Sequence, residues 1–354
     1  LPNFYGKNYK MLLAIPIALY IVFFILIFVW PKVPMGIDFK GGTMVIIRAD
    51  KPIDATELSS LLSQNFELTE LKVSSVSGPA GYGVNIQFAA DKALESGEAS
   101  VEAARAALAT NPDAALQRAR DAVESVKRYL TDTTLPSVPE EAVNKAELAM
   151  IEAGKNANQQ MQDLIKQRFS LSESSAFQRR EVSPTLSASF WQTGLNVAIF
   201  AVILVTIVIF IFFRKIIPSL AVIECGIFDV GCAVAMMAVF SIPLSLSSIP
   251  TLLMLLGYSI DTDVMLTSRM LQRKEKSPAE RAYGSLNTGL TMTGTTIGAL
   301  LVMLLVSYFN QISIIFEISA VLLFGLAGDV IGTWLMNAPL LLWYVERANK
   351  KTIF

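Results

Sequence analysis

Met11–Trp30 reads MLLAIPIALYIVFFILIFVW, an apolar run without a single charge. Wound as a helix at about 1.5 Å per residue, it is roughly 30 Å long, the thickness of a bilayer's hydrocarbon core. Pro16 inside it is tolerable, because membrane helices accommodate a broken backbone hydrogen bond. The run is too long for the apolar core of a signal peptide and no small-residue cleavage site follows it. Working outward, the chain turns polar from Pro31 to about Gln192. Apolar runs then return at Thr193–Phe213, Ile217–Phe240, Ile249–Ser268, Leu286–Phe309 and Ile312–Tyr344. The expected fold is an integral membrane α-helical bundle of six transmembrane helices with one domain outside it. Its parts are an N-terminus and first helix (1–30), the polar domain (31–192), a five-helix bundle (193–344) and a tail (345–354).

Composition agrees. Hydrophobic residues are 53% of the chain and mean hydropathy is +0.50, too apolar for a soluble domain of this length. The net charge of −1 gives no basic field for a nucleic-acid partner. Histidine is absent, which removes imidazole acid–base catalysis and histidine metal sites. Cys225 and Cys232 fall two turns apart on one helix face, too far to bridge, and read as small packing residues. No Gly-rich phosphate loop precedes a suitable helix, so no nucleotide is expected; no metal or other cofactor is expected either.

The short loops set an orientation. Lys7 and Lys10 precede the first run. Arg214 and Lys215 join the second and third, and Arg269, Arg273, Lys274, Lys276 and Arg281 join the fourth and fifth. Arg347, Lys350 and Lys351 follow the last. Ser241–Ser248 and Asn310–Gln311, on the other side, carry no charge. The excess of Lys and Arg places both termini in the cytoplasm and the large domain outside a cell membrane.

Inside the polar domain, Asp38–Arg48 is strand-like around a Gly-Gly turn. Asp54 with Glu57 is a capping-box pattern opening a helix to about Phe66. Leu71–Ser77 and Tyr82–Phe88 read as strands joined by a Gly-Pro-Ala-Gly turn, and Ala176–Val182 as a closing strand. The order β-α-β-β-α-β is ferredoxin-like. Asp91–Arg168 is oversized for its second helix; rich in Ala, Glu, Lys and Gln, it predicts two or three helices. It reads either as a solvated insertion or as a contact arm for a partner.

Carboxyls within the apolar runs are the informative chemistry, because charge in lipid is costly and such groups usually face a bundle interior or a water path. They are Glu224 and Asp229, Asp261 and Asp263, and Glu317 and Asp329, with no Lys or Arg between the ends of those runs. Asp229, Asp261 and Asp329 count to near the membrane middle. Asp261 and Asp263 lie about 200° apart on a helix and face different ways. Asp261, with Asp229 as companion, is the leading candidate for a proton or ion relay; Asp263 and Asp329 are further candidates. Gly294–Gly298 and Gly328–Gly332 are GxxxG pairs expected to pack helices closely. Five threonines between Thr288 and Thr296 line a polar path or bond their own backbone.

Gly36-Ile-Asp-Phe-Lys-Gly-Gly42 after a first apolar run resembles the signature of the SecD/SecF family of protein-export membrane subunits, in the resistance–nodulation–division superfamily. Val182-Ser-Pro-Thr185, Tyr258-Ser-Ile-Asp-Thr-Asp-Val264 with Arg269, and Ala338-Pro339-Leu340 are similar to its other motifs in order and placement. One outer domain with six spans suits the SecF branch. The acids flank Thr262 instead of occupying it, Phe228 precedes Asp229 where bacterial members have a histidine, and Thr288 stands where they have an arginine; these departures resemble an archaeal form. The resemblance implies a non-enzymatic accessory of translocation that pairs with a SecD-like subunit beside the SecY/SecE channel and engages translocating polypeptide. It also marks Gly36, Asp38, Gly41 and Gly42 as signature residues with a structural role. A small-molecule exporter of the same superfamily would also use intramembrane acids, but such pumps usually duplicate this unit. An intramembrane aspartyl protease fails at Ala327, which breaks the Gly-x-Gly-Asp spacing before Asp329.

Overall fold

The computed structural model describes residues 5, 9–49, 51–78, 81–171, 176–272, 277–310 and 312–352. Lys7, Arg273, Lys274, Lys276, Gln311 and the Pro79-Ala80 centre of the expected turn lie outside the described residues. In chain order the elements are α1 (Ala14–Phe24), α2 (Ile37–Lys40), β1 (Gly42–Ala49), α3 (Ala55–Asn65), β2 (Lys72–Gly78), β3 (Gly81–Phe88), α4 (Lys92–Ala107), α5 (Pro112–Ser125), α6 (Pro139–Phe169) and β4 (Ala176–Val182). There follow α7 (Pro184–Phe213), α8 (Ile216–Val239), α9 (Ser248–Gln272), α10 (Pro278–Phe309), α11 (Ser313–Ile331) and α12 (Ala338–Thr352). They form two compact units: Leu1–Phe39 with Thr185–Phe354, and Lys40–Pro184.

In the second unit the sheet order is β2-β3-β1-β4, every neighbouring pair antiparallel. With α3 between β1 and β2, and helices between β3 and β4, this is the ferredoxin-like arrangement. Alternation builds the core: Val45, Ile47 and Ala49 of β1 and Val84, Ile86 and Phe88 of β3 are buried with Leu58 and Leu62 of α3. Asp54 caps α3, accepting from Thr56 N at 2.7 Å and Glu57 N at 3.4 Å.

The first strand begins later than the sequence reading placed it. Ile37–Lys40 forms a helical turn instead, and β1 starts at Gly42. Gly41 (φ 82°) and Gly42 (φ 122°) occupy positive φ, which interrupts an extended chain. A Cβ on Gly42 would lie 2.5 Å from the Phe88 carbonyl oxygen. Glycine is therefore required there twice over, by conformation and by space.

The long insertion folds as α4, α5 and α6, and its alanines are more than helix formers. Ala104, Ala115, Ala119, Ala122, Ala142, Ala146 and Ala153 are fully buried, in one core with the sheet. Small side chains let the helices approach closely, so the segment is packed and not a solvated appendage. Asp91 ties it together. Its carboxylate caps α4 through Ala93 N (3.0 Å) and accepts from the Tyr129 hydroxyl (2.6 Å) and from the Arg128 guanidinium (3.2 and 3.3 Å). The Tyr129 carbonyl in turn accepts from Asn156 on α6 at 2.7 Å.

In the first unit, six helices among the described residues are long and apolar enough to cross a membrane: Tyr9–Val29, Leu186–Phe213, Ile216–Val239, Ser248–Leu271, Pro278–Phe309 and Ser313–Arg347. Pro16 is the third residue of α1, inside the continuous span Tyr9–Val29, where a membrane helix accommodates its missing N–H. The second and fifth spans begin earlier than hydropathy alone placed them. For the fifth, the cause is a capping box. Ser277 Oγ accepts from Glu280 N (3.3 Å) and Glu280 Oε2 from Ser277 N (3.1 Å), with Pro278 at the first helical position. A π-helical turn at Gly332–Asn337 interrupts the last span between α11 and α12.

Candidate functional site: a carboxyl cluster in the bundle

Asp229 of α8, Asp263 of α9 and Asp329 of α11 are all buried at 1% exposure or less. Close helix approach brings them together. A Cβ on Gly328 would lie 2.7 Å from Cys232 Cβ, and one on Gly332 would lie 2.8 Å from Cys225 Sγ and 3.0 Å from Asp229 Oδ1. These two glycines thus let α11 lie directly against α8. The π turn then carries Thr333 and Asn337 inward, a geometry frequent at functional sites.

Thr333 Oγ1 stands 3.0 Å from Asp263 Oδ1 and 3.0 Å from Asp329 Oδ1. Asn337 Nδ2 donates to Asp263 Oδ1 at 2.7 Å, Thr293 of α10 donates to Asp329 Oδ2 at 3.3 Å, and the Ser259 hydroxyl donates to Asp229. Asp229 Oδ1 and Asp263 Oδ2 are buried and find no hydrogen-bond donor among the described residues. Basic residues of the described spans — Lys10, Arg269, Arg281 and Arg347 — lie near span ends. Arg269 reaches Thr288 Oγ1 (2.9 Å) and Arg281 the Met270 carbonyl (2.6 Å). The cluster's negative charge must therefore be balanced by protons or a cation. Among the described residues no three His, Cys, Asp or Glu side chains meet as metal ligands.

The candidates named from sequence separate here. Asp263, Asp229 and Asp329 converge. Asp261 does not join them; it lies exposed on the outer face of α9, because its neighbour two positions on takes the inward direction. The expected Asp261–Asp229 companionship is replaced by Ser259–Asp229, with Asp263 and Asp329 alongside. Glu224 is exposed, and its carbonyl accepts from Tyr20 at 3.1 Å. Phe228, in the place of an imidazole, is fully buried with ring centroids 5.2 Å from those of both Tyr20 and Phe23. Gly328 and Gly332 pack, whereas a Cβ on Gly294 or Gly298 would meet nothing within 4 Å. That second pair faces outward and meets no other helix among the described residues. Ser259, Thr333 and Asn337 escaped the sequence reading. Their signal was present: 329, 333 and 337 form an i, i+4, i+8 polar ladder in an apolar run, and 259 and 263 a shorter one.

A second polar hub closes one end of this unit. Leu244 N donates to the Pro34 carbonyl and Gly36 N to the Leu244 carbonyl, both at 2.8 Å. A Cβ on Gly36 would lie 2.9 Å from that Leu244 oxygen. Asp38 Oδ2 accepts from Leu246 N at 2.9 Å. Glu317 of α11 gathers the hydroxyls of Ser245, Ser247 and Ser248 in the same hairpin. The signature residues Gly36 and Asp38 thus bind the stretch after the first span to the α8–α9 hairpin.

Six apolar helices, a ferredoxin-like domain inserted after the first, and carboxyls held inside the bundle define a multi-pass membrane protein. Residues 161–347 match the family profile described as "Protein export membrane protein SecD/SecF, C-terminal", and residues 31–53 match the "SecD/SecF GG Motif". The protein-export membrane protein SecF of Methanothermobacter thermautotrophicus is 30% identical over 96% of this chain and 94% of its own length. SecF of Methanocaldococcus jannaschii is 29% identical over 98% and 99%. A crystal structure of SecDF, a translocon-associated membrane protein from Thermus thermophilus, shares the fold with a TM-score of 0.57 at 15% identity. The match covers 96% of this chain and 59% of that one. The chain belongs to the SecD/SecF family of protein-export membrane proteins, on the archaeal SecF side, and is a non-enzymatic accessory of translocation.

Proposed function

We propose that this chain works with a SecD-like subunit beside the SecY/SecE channel, and that proton or cation movement through Asp229, Asp263 and Asp329 drives its part in polypeptide translocation. Residues 40–184 lie outside the cell membrane and engage the emerging polypeptide; both termini are cytoplasmic, where the Lys and Arg excess sits.

The arrangement around Thr333 carries the relay. Its hydroxyl has one proton but stands 3.0 Å from a carboxyl oxygen of Asp263 and 3.0 Å from one of Asp329. It donates to one of them at a time; the other contact is a hydrogen bond only when that carboxyl holds a proton. A proton passes when the protonated carboxyl gives its proton to the Thr333 oxygen as Thr333 gives its own to the other carboxylate; rotation of the hydroxyl then resets the relay. Asp263→Asn keeps shape and polarity but cannot titrate. The expected result is normal abundance and normal co-purification of the SecD-like subunit, with export of a model preprotein lowered at least tenfold. Wild-type export at normal abundance would refute the relay.

The orientation has its own test. Glu124, with a side chain 69% exposed in the outer unit, is replaced by cysteine; both native cysteines are buried and stay silent. A membrane-impermeant maleimide should label Glu124→Cys in intact cells and Arg214→Cys only after permeabilisation. The opposite pattern inverts the map.

A further inference from the structure

The π turn at Gly332–Asn337 leaves the Trp334 carbonyl without a donor from its own helix. An α-helical carbonyl accepts from the N–H four residues on, and a π-helical one from the N–H five on. For Trp334 these positions are Ala338 and Pro339. The Ala338 N–H goes to the Thr333 carbonyl, and proline has no N–H. A buried carbonyl left bare costs about as much as a lost hydrogen bond. Trp334 is 3% exposed, too deep for solvent to replace the donor.

The missing donor comes from the other end of the chain. The Tyr5 hydroxyl donates to the Trp334 carbonyl at 2.9 Å, and Tyr5 itself is 2% exposed. The two side chains share one core with Leu266, Met270, Ala282 and Leu341. The indole of Trp334 is held at its far edge as well: a Cβ on Gly289 of α10 would stand 2.3 Å from its Cζ2. Four positions after Tyr5, the Tyr9 hydroxyl donates to Glu346 Oε2 of α12 at 2.7 Å. Tyr5 and Tyr9 are thus bonded to the last span on either side of Pro339. Trp334 directly follows Thr333 and precedes Asn337 by three residues, and both of those bond Asp263 Oδ1. Without the phenol, the nearest backbone donor for the Trp334 carbonyl is the Ala338 N–H. Taking it would close the turn to α-helix and rotate the two halves of the span against each other by up to about 100°, one residue of helix.

We infer that Tyr5 is a positioning residue of the carboxyl cluster: its hydroxyl supplies the donor that Pro339 withholds, keeps the π turn open, and so holds Thr333 and Asn337 on Asp263. The role rests on the relay named in the proposed function and adds what sets the relay's geometry. It also gives the segment ahead of the first span a task beyond anchoring, since its phenol acts through Trp334 on groups that it does not touch.

Trp334-Leu335 is the only Trp-Leu pair in the sequence, so the bond can be watched directly. In the full chain in lipid bilayers, labelled with ¹³C-carbonyl tryptophan and ¹⁵N-leucine, a solid-state NMR carbonyl–amide correlation reports Trp334 alone. Tyr5→Phe keeps the ring and removes the donor. The Trp334 carbonyl carbon should then move upfield, and the side-chain amide signal that Asn337→Leu deletes should move as well. Export of a model preprotein should fall at least fivefold at unchanged abundance. Placing 3-fluorotyrosine at position 5, a stronger donor of nearly the same shape, should move the carbonyl carbon the opposite way; it keeps the test decisive if Tyr5→Phe does not accumulate. A carbonyl signal that moves with neither substitution would show that the phenol does not bond it. A carbonyl that moves while the Asn337 amide or export stays as in wild type would leave Tyr5 a packing residue and overturn the positioning role. If Asp263→Asn also exports normally, it is the relay that fails, and the Asn337 amide alone then decides the part of Tyr5.

Discussion

Asn337 Nδ2 donates to Asp263 Oδ1 over 2.7 Å, joining the end of a π turn in the last span to the middle of α9. Asn337→Leu keeps the bulk and removes the donor. A hydrogen bond to a charged group contributes about 1.5–3 kcal/mol, and its buried acceptor would be left short of a partner. The purified variant should melt below wild type in detergent and support export at a tenth of the wild-type level or less. Unchanged melting and export would show that the amide neither supports nor tunes the acid.

Asp38 and the backbone of Leu246 meet at 2.9 Å across more than two hundred residues of sequence. Asp38→Ala withdraws the acceptor from a part-buried N–H, a loss of about 1–3 kcal/mol. Hydrogen exchange at Leu246 should accelerate roughly 5- to 150-fold. Amides in the middle of α8 should keep their protection. An unaltered Leu246 amide would mean that Glu317 and the serines hold the hairpin unaided.

Gly42→Val places a β-branched side chain at φ 122° with its Cβ 2.5 Å from a backbone oxygen that cannot move without β3. Strain and clash together should cost more than about 3 kcal/mol. The variant should fall to a small fraction of wild-type abundance, and protease should cut within residues 40–184. Wild-type abundance with a resistant outer unit would contradict the geometry.

Tyr129 gives the outer unit an alkaline limit. Burial, and then its hydrogen bond to Asp91, raise the phenol above its ordinary value of 10.0. The folded state therefore keeps its proton where the unfolded chain loses it. The stabilisation is complete below pH 10 and falls as pH rises through the folded value. Melting of the outer unit within the full chain should decline with pH above 10, and Tyr129→Phe, which cannot ionise, should decline less steeply. Equal slopes would assign the alkaline loss to other groups.

Much of the architecture was legible from local rules. Span length follows from apolar runs matched to a bilayer, the start of α3 from the Asp54 cap, and the strand after Gly41-Gly42 from its branched residues. The ferredoxin-like order followed from those elements. The capping box at Ser277 was equally local, but hydropathy hid it, because the first turns of α10 extend past the apolar run.

The site was decided elsewhere. Asp261 and Asp263 satisfy the same sequence rule, a carboxyl in an apolar helix. Only the rotation of α9 against α8 and α11 turns Asp263 inward to Thr333 and Asn337 and leaves Asp261 on the outer face. The two GxxxG pairs are equivalent as text; Gly328 and Gly332 meet α8, while Gly294 and Gly298 meet no other helix among the described residues. The alanines of α4, α5 and α6 read as helix propensity and serve as a close-packed seam. Periodicity fixes which residues share a helix face, and sequence alone fixes that much. Which face turns inward depends on neighbours distant in the chain, and that choice belongs to the tertiary structure.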